Sequence, residues 1–276
     1  MQRDELSLTG GGGVRIVYDA WTPADPPTGA VVLVHGLGEH AGRYHHVVAR
    51  LGELGLAVYA PDHRGHGRSG GKRVLARSIG EFTGDLHLLF AEVARRHPGR
   101  PPFLIGHSMG AMIAASYAFD HQASLRGLVL SGTPVVPGAG IPKPAQAVAK
   151  ALGRIAPGLP LQALPSKYVS RDPAVVARYD ADPLVHHGKI PAGIGGAMLT
   201  QMGVIQTRLP ELTLPVLVLH GSEDGLVDPA GSRLIAERAG SSDVTLHVYD
   251  GLYHEVYNEP EQDRVLDDLI EWLKAH

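Results

Sequence analysis

The chain has 276 residues, a formal charge of −3 and no cysteine. That length can bury a large core; the charge leaves no electrostatic footprint for nucleic acid, and the missing thiols exclude a disulfide framework and thiolate metal sites. Residues 1–13 lack an apolar leader core and no apolar run approaches a bilayer span, so a cytoplasmic protein is expected.

In chain order, Val14 to Tyr18 alternates as an early antiparallel strand, set off by the glycines Gly10 to Gly13. Ala30 to Val34 and Leu56 to Ala60 are continuous apolar runs, the pattern of strands covered on both faces. Between them, Arg43 to Gly55 has helical spacing, with Val47, Val48, Leu51 and Leu54 on one side. Ser78-Ile79-Gly80-Glu81 reads as a capping box opening a helix that runs to about His97, before Pro98. A strand ending at Ile105, a helix to about Phe119 and a strand over Leu125 to Leu130 follow. After the middle of the chain come a strand at Val216 to Leu219, a helix from Pro229 to Ala239, a strand from Thr245 to Tyr249 and a closing amphipathic helix from Glu261 to Lys274. This alternation predicts an α/β fold, a mostly parallel central sheet with helices on both faces and its chemistry at the carboxyl ends of the strands.

Residues 136–209 break the rhythm. They are rich in Pro and Gly and carry no buried-strand pattern, so the expected organisation is a core over 1–135, an inserted helical cap over 136–209 and a second core segment over 210–276. On a helical wheel, Ile141, Val148, Leu152 and Ile155 share one face, opposite Lys143, Lys150 and Arg154. Two readings stand: an interfacial helix lying on a membrane, or a cap helix packing its apolar face on the core with its lysines in water.

The chemistry concentrates at Gly106-His107-Ser108-Met109-Gly110, set between a strand and a helix. This is the strand–turn–helix context of a G-x-S-x-G nucleophile elbow, in which the flanking glycines permit close backbone approach. A serine hydroxyl needs a base, and that base needs an orienting carboxylate. His254, after the last strand, completes the order Ser, Asp, His; of the two acids after Leu219, Asp228 precedes Pro229 as a helix N-cap, which leaves Asp224 for the third role. The oxyanion donors expected are the amides of Met109 and Leu37, the latter in His35-Gly36-Leu37-Gly38. Gly65 to Gly70 fits G-x-G-x-x-G, but no helix opens at its third glycine, so no dinucleotide site is assigned. No H-E-x-x-H spacing occurs, and His107, His45 and His46 read as packing or polar residues rather than metal ligands; neither a metal nor a cofactor is expected.

Taken together, His35-Gly36-Leu37-Gly38-Glu39-His40, Asp62 to Ser69, the elbow, Asp180-Ala181-Asp182-Pro183-Leu184, His220 to Asp224 and Gly251-Leu252-Tyr253-His254 resemble the monoacylglycerol lipases of the α/β-hydrolase fold, of the mycobacterial and actinobacterial type. The likeness spans nearly the whole chain and is weakest from Val136 to Arg171. It implies Ser108, Asp224 and His254 as triad and Leu37 and Met109 as oxyanion donors. It also implies Glu39, Arg43 and Tyr179 at the glycerol end, an apolar tunnel in a cap whose helices meet the membrane, and a monomer or homodimer. The expected activity is hydrolysis of monoacylglycerol to glycerol and fatty acid. A lysophospholipase or broad carboxylesterase is the alternative, which a like-charge clash between Glu39 and a phosphate disfavours. A non-catalytic binder of the same fold is the remote one, since mere binding needs no preorganised triad.

Overall fold

A computed structural model describes residues 1–138 and 142–276. Eight strands form one sheet: β1 (Gln2–Thr9), β2 (Arg15–Thr22), β3 (Gly29–Val34), β4 (Leu56–Pro61), β5 (Phe103–His107), β6 (Gly127–Ser131), β7 (Val216–Gly221) and β8 (Val244–Tyr249). Their spatial order is β1-β2-β4-β3-β5-β6-β7-β8; β1 and β2 pair antiparallel to their neighbours, and β4 through β8 run parallel. β3 to β7 are buried at every residue, which is why they read as unbroken apolar runs.

Alternate strand residues face opposite helical layers. Val31, Leu33, Phe103, Ile105, Leu217 and Leu219 pack with α1 (His45–Glu53) and α8 (Gln262–Ala275). Val32, Val34, Leu104, Leu128 and Val218 face α2 (Gly80–Arg96) and α3 (Met109–His121). The period of two in the strands thus divides one apolar core into two.

Three local readings need correction. The sequence pattern gives no sign of β1, because this edge strand is exposed and polar at Gln2 to Glu5; backbone pairing with β2 holds it, with only Leu6 and Leu8 partly buried against the core. Only half of the capping box forms: Glu81 Oε1 accepts from the amides of Arg77 and Ser78, but α2 starts at Gly80 with Ile79 as its cap and no side-chain bond from Ser78. The helix expected from Arg43 begins as a 3₁₀ turn over Ala41–Tyr44, and α1 proper starts at His45.

Between β6 and β7 the chain leaves the sheet and forms α4 (Lys143–Ile155), α5 (Pro173–Ala181) and α6 (Ala192–Arg208). α4 sits on α6 through small residues: a Cβ on Gly153 would lie 2.7 Å from the Ala192 carbonyl oxygen and 3.2 Å from Gly196 Cα. The wheel's apolar face is therefore not the packed one. Val148 is 58% and Ile155 83% exposed, with Leu152 intermediate, so the reading in which that face packs on the core does not hold; Ile141 lies outside the described residues. α7 (Ala230–Arg238) closes the list of helices between β7 and β8.

The glycines of the elbow test this packing. A Cβ on Gly110 would meet the Val34 and His35 carbonyl oxygens at 2.3 and 2.4 Å, both rigid backbone, whereas Gly84, exposed in α2, has nothing within 4 Å. Gly110→Ala should lose about 1–3 kcal/mol, the usual cost of overpacking. Gly84→Ala should gain about 0.5–1 kcal/mol through helix propensity. Urea unfolding of the two variants beside the parent checks both signs.

Candidate active site

Ser108 caps α3 with φ 54° and ψ −122°; with Val74 it is one of two non-glycine residues at positive φ among those described. Such a backbone costs about 1–3 kcal/mol and persists only where its surroundings impose it. Here they do. The Ser108 amide donates to the Ser131 carbonyl at 2.8 Å, and its own carbonyl accepts from Met112 N at 3.1 Å. On either side, a Cβ at Gly106 would fall 2.5 Å from the Gly110 carbonyl oxygen, so the turn tolerates no side chain there.

His254 arrives from the loop after β8. That loop lies on the end of β7 so closely that a Cβ on Gly221 would sit 2.2 Å from the Leu252 and Tyr253 carbonyl oxygens. The His254 Nε2 atom is 2.9 Å from Ser108 Oγ, and Nδ1 is 2.6 Å from Asp224 Oδ2. With Nδ1–H donating to the carboxylate, Nε2 is left to accept from the hydroxyl. Asp224 has a fully buried side chain and Oδ1 bonds from the amides of Leu226 and Val227 at 2.8 and 2.9 Å. Asp228 instead accepts from Ala230 N at 2.9 Å, the local capping bond expected of it.

Burial alone would push the His254 pKa down, but the Asp224 charge and hydrogen bond outweigh it and raise it above the usual imidazole value. Burial opposes ionisation of Asp224 too, yet His254 and His220 hold its carboxyl well below the usual range. His220 is a partner the sequence reading missed: Nε2 lies 3.0 Å from Asp224 Oδ2 and Nδ1 2.6 Å from Ser232 Oγ. Its position four residues before Asp224, at the end of a buried strand, was the available signal.

The other histidines do different work. His107 packs its ring, tilted by 51°, 4.7 Å from that of His254 and turns Nδ1 toward Ser131 Oγ; burial, with the neighbouring His254, lowers it to about 3, so it stays neutral. His35 and His63 pack their rings at 4.3 Å behind the loop that follows β3, and burial lowers His63 to about 3. His46 bonds the Tyr257 carbonyl and His45 meets the Trp21 ring edge-on. Gly65 to Gly70 forms a loop pinned by Arg68, whose guanidinium reaches Asp62 at 2.7 Å and Asp19 at 2.8 Å, and α2 opens ten residues after Gly70. Among the described residues no group of three or more His, Asp or Glu is arranged to hold a metal.

A small cavity of about 30 Å³ opens at Ser108, with Leu37, Glu39, Tyr179, Leu226 and His254 on its walls. Among the described residues the amides of Leu37 and Met109 have no protein acceptor, while Gly36 N, one residue earlier, donates to Glu39 Oε1 at 2.6 Å. Glu39 is buried and also takes the Tyr44 hydroxyl at 2.7 Å and Arg43 Nη1 at 2.6 Å. Burial would raise its pKa, but the Arg43 charge, with the Tyr44 hydroxyl, holds it below the usual carboxylate range. Arg43 stands apart from the cavity at Ser108. Its guanidinium is engaged by Glu39 and Glu255, lies 4.7 Å from the centre of the Tyr179 ring, and lines a separate cavity of about 580 Å³. Glu255, next to His254, was also missed, since nothing in its local sequence marks it as an ion-pair partner of Arg43, 212 residues away.

Residues 25–261 match a protein family described as serine aminopeptidase, S33. The chain is 53% identical over 274 residues to a monoacylglycerol lipase of Mycolicibacterium smegmatis, covering 99% of this chain and 98% of that one. It is 35% identical to human monoglyceride lipase over 261 residues, covering 92% and 84% of the two chains. The crystal structure of Paleococcus ferrophilus monoacylglycerol lipase superposes with a TM-score of 0.87 at 36% identity, over 95% of this chain and 99% of that one. A likeness of that depth along nearly the full sequence, on an eight-stranded sheet with a serine at its strained elbow, makes this chain a member of the monoacylglycerol lipase family of α/β-hydrolases.

Proposed function

We propose that the protein hydrolyses monoacylglycerol to glycerol and a free fatty acid through an acyl-serine intermediate. The observation that carries this reading is the unbroken run of hydrogen bonds from Ser108 Oγ through His254 to Asp224. In it, Ser108 Oγ attacks the ester carbonyl as its proton passes to His254 Nε2, and the imidazolium then protonates the departing glycerol oxygen. Water, deprotonated by the same nitrogen, attacks the acyl-serine; the proton returns to Ser108 as the fatty acid leaves. The amides of Leu37 and Met109 stabilise the oxyanion of both tetrahedral intermediates. Asp224 fixes the tautomer of His254, and His220 braces Asp224 from behind.

Glu39 and Tyr179, on the cavity wall, meet the glycerol end, and Arg43 supports them from outside the cavity. Glu39 and Glu255 share the one Arg43 cation, so the alcohol side carries excess negative charge. This favours a neutral leaving alcohol over one bearing a phosphate and sets the lipase reading above a lysophospholipase.

Residues 136–209 act as a cap in this reading. Asp182 bonds His40 at 2.8 Å and His186 N donates to the Gly38 carbonyl at 2.7 Å, so the segment is tied to the same loop that bears Leu37. Val148, Ile155, Leu159 and Leu164 stand exposed on it, with Lys143, Lys150 and Arg154 in the same segment. No helix among the described residues is long and apolar enough to cross a membrane, so contact with lipid would be peripheral.

Four outcomes follow. Ser108→Ala should abolish labelling by a fluorophosphonate probe and cut turnover of monoolein by roughly 10⁴-fold or more. Asp224→Asn should cost a similar factor while Asp228→Asn retains most activity, which steady-state assays of the pair would read directly. Because His254 works as the neutral base and its pKa is raised, kcat/KM should climb with pH through a midpoint above 6.5, the ordinary imidazole value; a pH–rate profile on a soluble ester measures it. Ile155→Asp should weaken co-sedimentation with phosphatidylcholine–phosphatidylglycerol vesicles by roughly tenfold, equal to about 1.4 kcal/mol and near the worth of one buried aliphatic side chain, with soluble-ester turnover unchanged.

A further inference from the structure

We infer that Glu255 is a positioning residue: through Arg43 and Glu39 it locks the loop bearing His254 to the loop bearing the Leu37 amide. The inference rests on the hydrolase reading and adds to it a group outside the triad and the oxyanion pair.

Glu255 directly follows His254 and is 5% exposed. Both of its oxygens take bonds from Arg43, Nη1 to Oε1 and Nη2 to Oε2, each at 2.6 Å. This is the two-pronged geometry that fixes orientation as well as distance. Asn258 Nδ2 adds a bond to Oε2 at 2.9 Å, so the carboxylate is held from its own loop as well, and the Glu255 amide donates to the Val169 carbonyl at 2.9 Å, which ties its backbone to the segment between β6 and β7.

From Arg43 the connection continues. The same Nη1 that meets Glu255 also meets Glu39 Oε2 at 2.6 Å, and the other oxygen of Glu39 holds Gly36 N at 2.6 Å, one residue before Leu37. The base and the oxyanion amide come from opposite ends of the chain, 217 positions apart by their numbers in the sequence (254 less 37). No strand of the sheet connects their loops directly, because β3 and β8 are separated in it by β5, β6 and β7. The ion cluster supplies a direct link.

Stability is a poor reason for such a cluster. Two buried carboxylates sharing one cation leave a charge uncompensated, and desolvation of buried ions commonly cancels their attraction. Directional bonds to a rigid guanidinium nonetheless fix a separation that apolar packing would hold less tightly. In an acyl-transfer site that separation matters, since the proton acceptor and the oxyanion donors must converge on one tetrahedral carbon.

The test uses the full chain with Glu255→Gln, Glu39→Gln and the two combined, each active-site titrated with a fluorophosphonate, and kcat and KM measured on monoolein. Glu255→Gln, nearly isosteric, should lower kcat by roughly tenfold to a hundredfold, less than the loss of an oxyanion donor itself, with KM within about twofold. Because both carboxylates act through Arg43, the combined variant should lose less than the product of the two single losses. Arg43→Lys keeps the charge but not the fork; it should reproduce the fall in kcat and serves as the decisive variant should Glu255→Gln not fold. An unchanged kcat, a loss confined to KM, or losses that multiply would overturn the inference. Parent activity that survives Ser108→Ala would instead sink the hydrolase reading, so the two failures are told apart.

Discussion

The left-handed backbone of Ser108 is the constraint on which the site depends. A serine at φ 54° is not a conformation the residue chooses, and it is held by contacts with no slack: glycines at 106 and 110 where any Cβ would strike backbone, and an amide bond to Ser131. In return the hydroxyl sits at the head of α3, within bonding distance of His254 Nε2. The same tightness recurs at Gly221, where the loop carrying His254 rests on the end of β7. Close backbone packing thus fixes both the hydroxyl and the imidazole, and the 2.9 Å bond between them follows from two rigid placements.

Electrostatics shape what that geometry can do. Asp224, Glu39 and Glu255 put three buried carboxylates around one imidazole and one guanidinium. The imidazole gains basicity from this surplus, with Asp224 outweighing the burial that would otherwise make His254 a weak base. Glu39 takes bonds from Arg43, Tyr44 and the Gly36 amide, which hold its pKa down, whereas burial outweighs Arg43 and raises that of Glu255. His107, close to the base and of the same chemical type, stays neutral because no carboxylate bonds it. Environment, not residue identity, separates the two rings.

The segment between β6 and β7 follows another logic. Within it, α4 meets α6 through small residues, Gly153 against Ala192 and Gly196, while α6 joins the segment to the core through Ile194 and Ile205 and through a bond from Gln201 to Ser116. Small-residue packing lets α4 lie close to α6 without spending its larger side chains. Val148 and Ile155 are thereby left facing outward, apolar and uncovered, beside lysines and an arginine. An amphipathic pattern that usually marks a core-facing stripe here marks a surface.

Much was legible in the sequence. The sheet's buried strands announce themselves as apolar runs, the elbow by its two glycines between strand and helix, and the local bond of Asp228 to the Ala230 amide by the proline that follows it. These are local facts, set by propensity, sterics and spacing within a few residues. β1 was hidden because an edge strand held mainly by backbone pairing needs little apolar face, and the packed side of α4 stayed open because glycine carries no hydrophobic signal yet makes the closest contact. His220, Glu255 and the bidentate hold of Arg43 belong to the tertiary structure alone. Sequence determines which residues are able to ionise, bend or pack; which charges end up sharing one cation depends on loops more than 200 positions apart being brought together, and only the folded sheet does that.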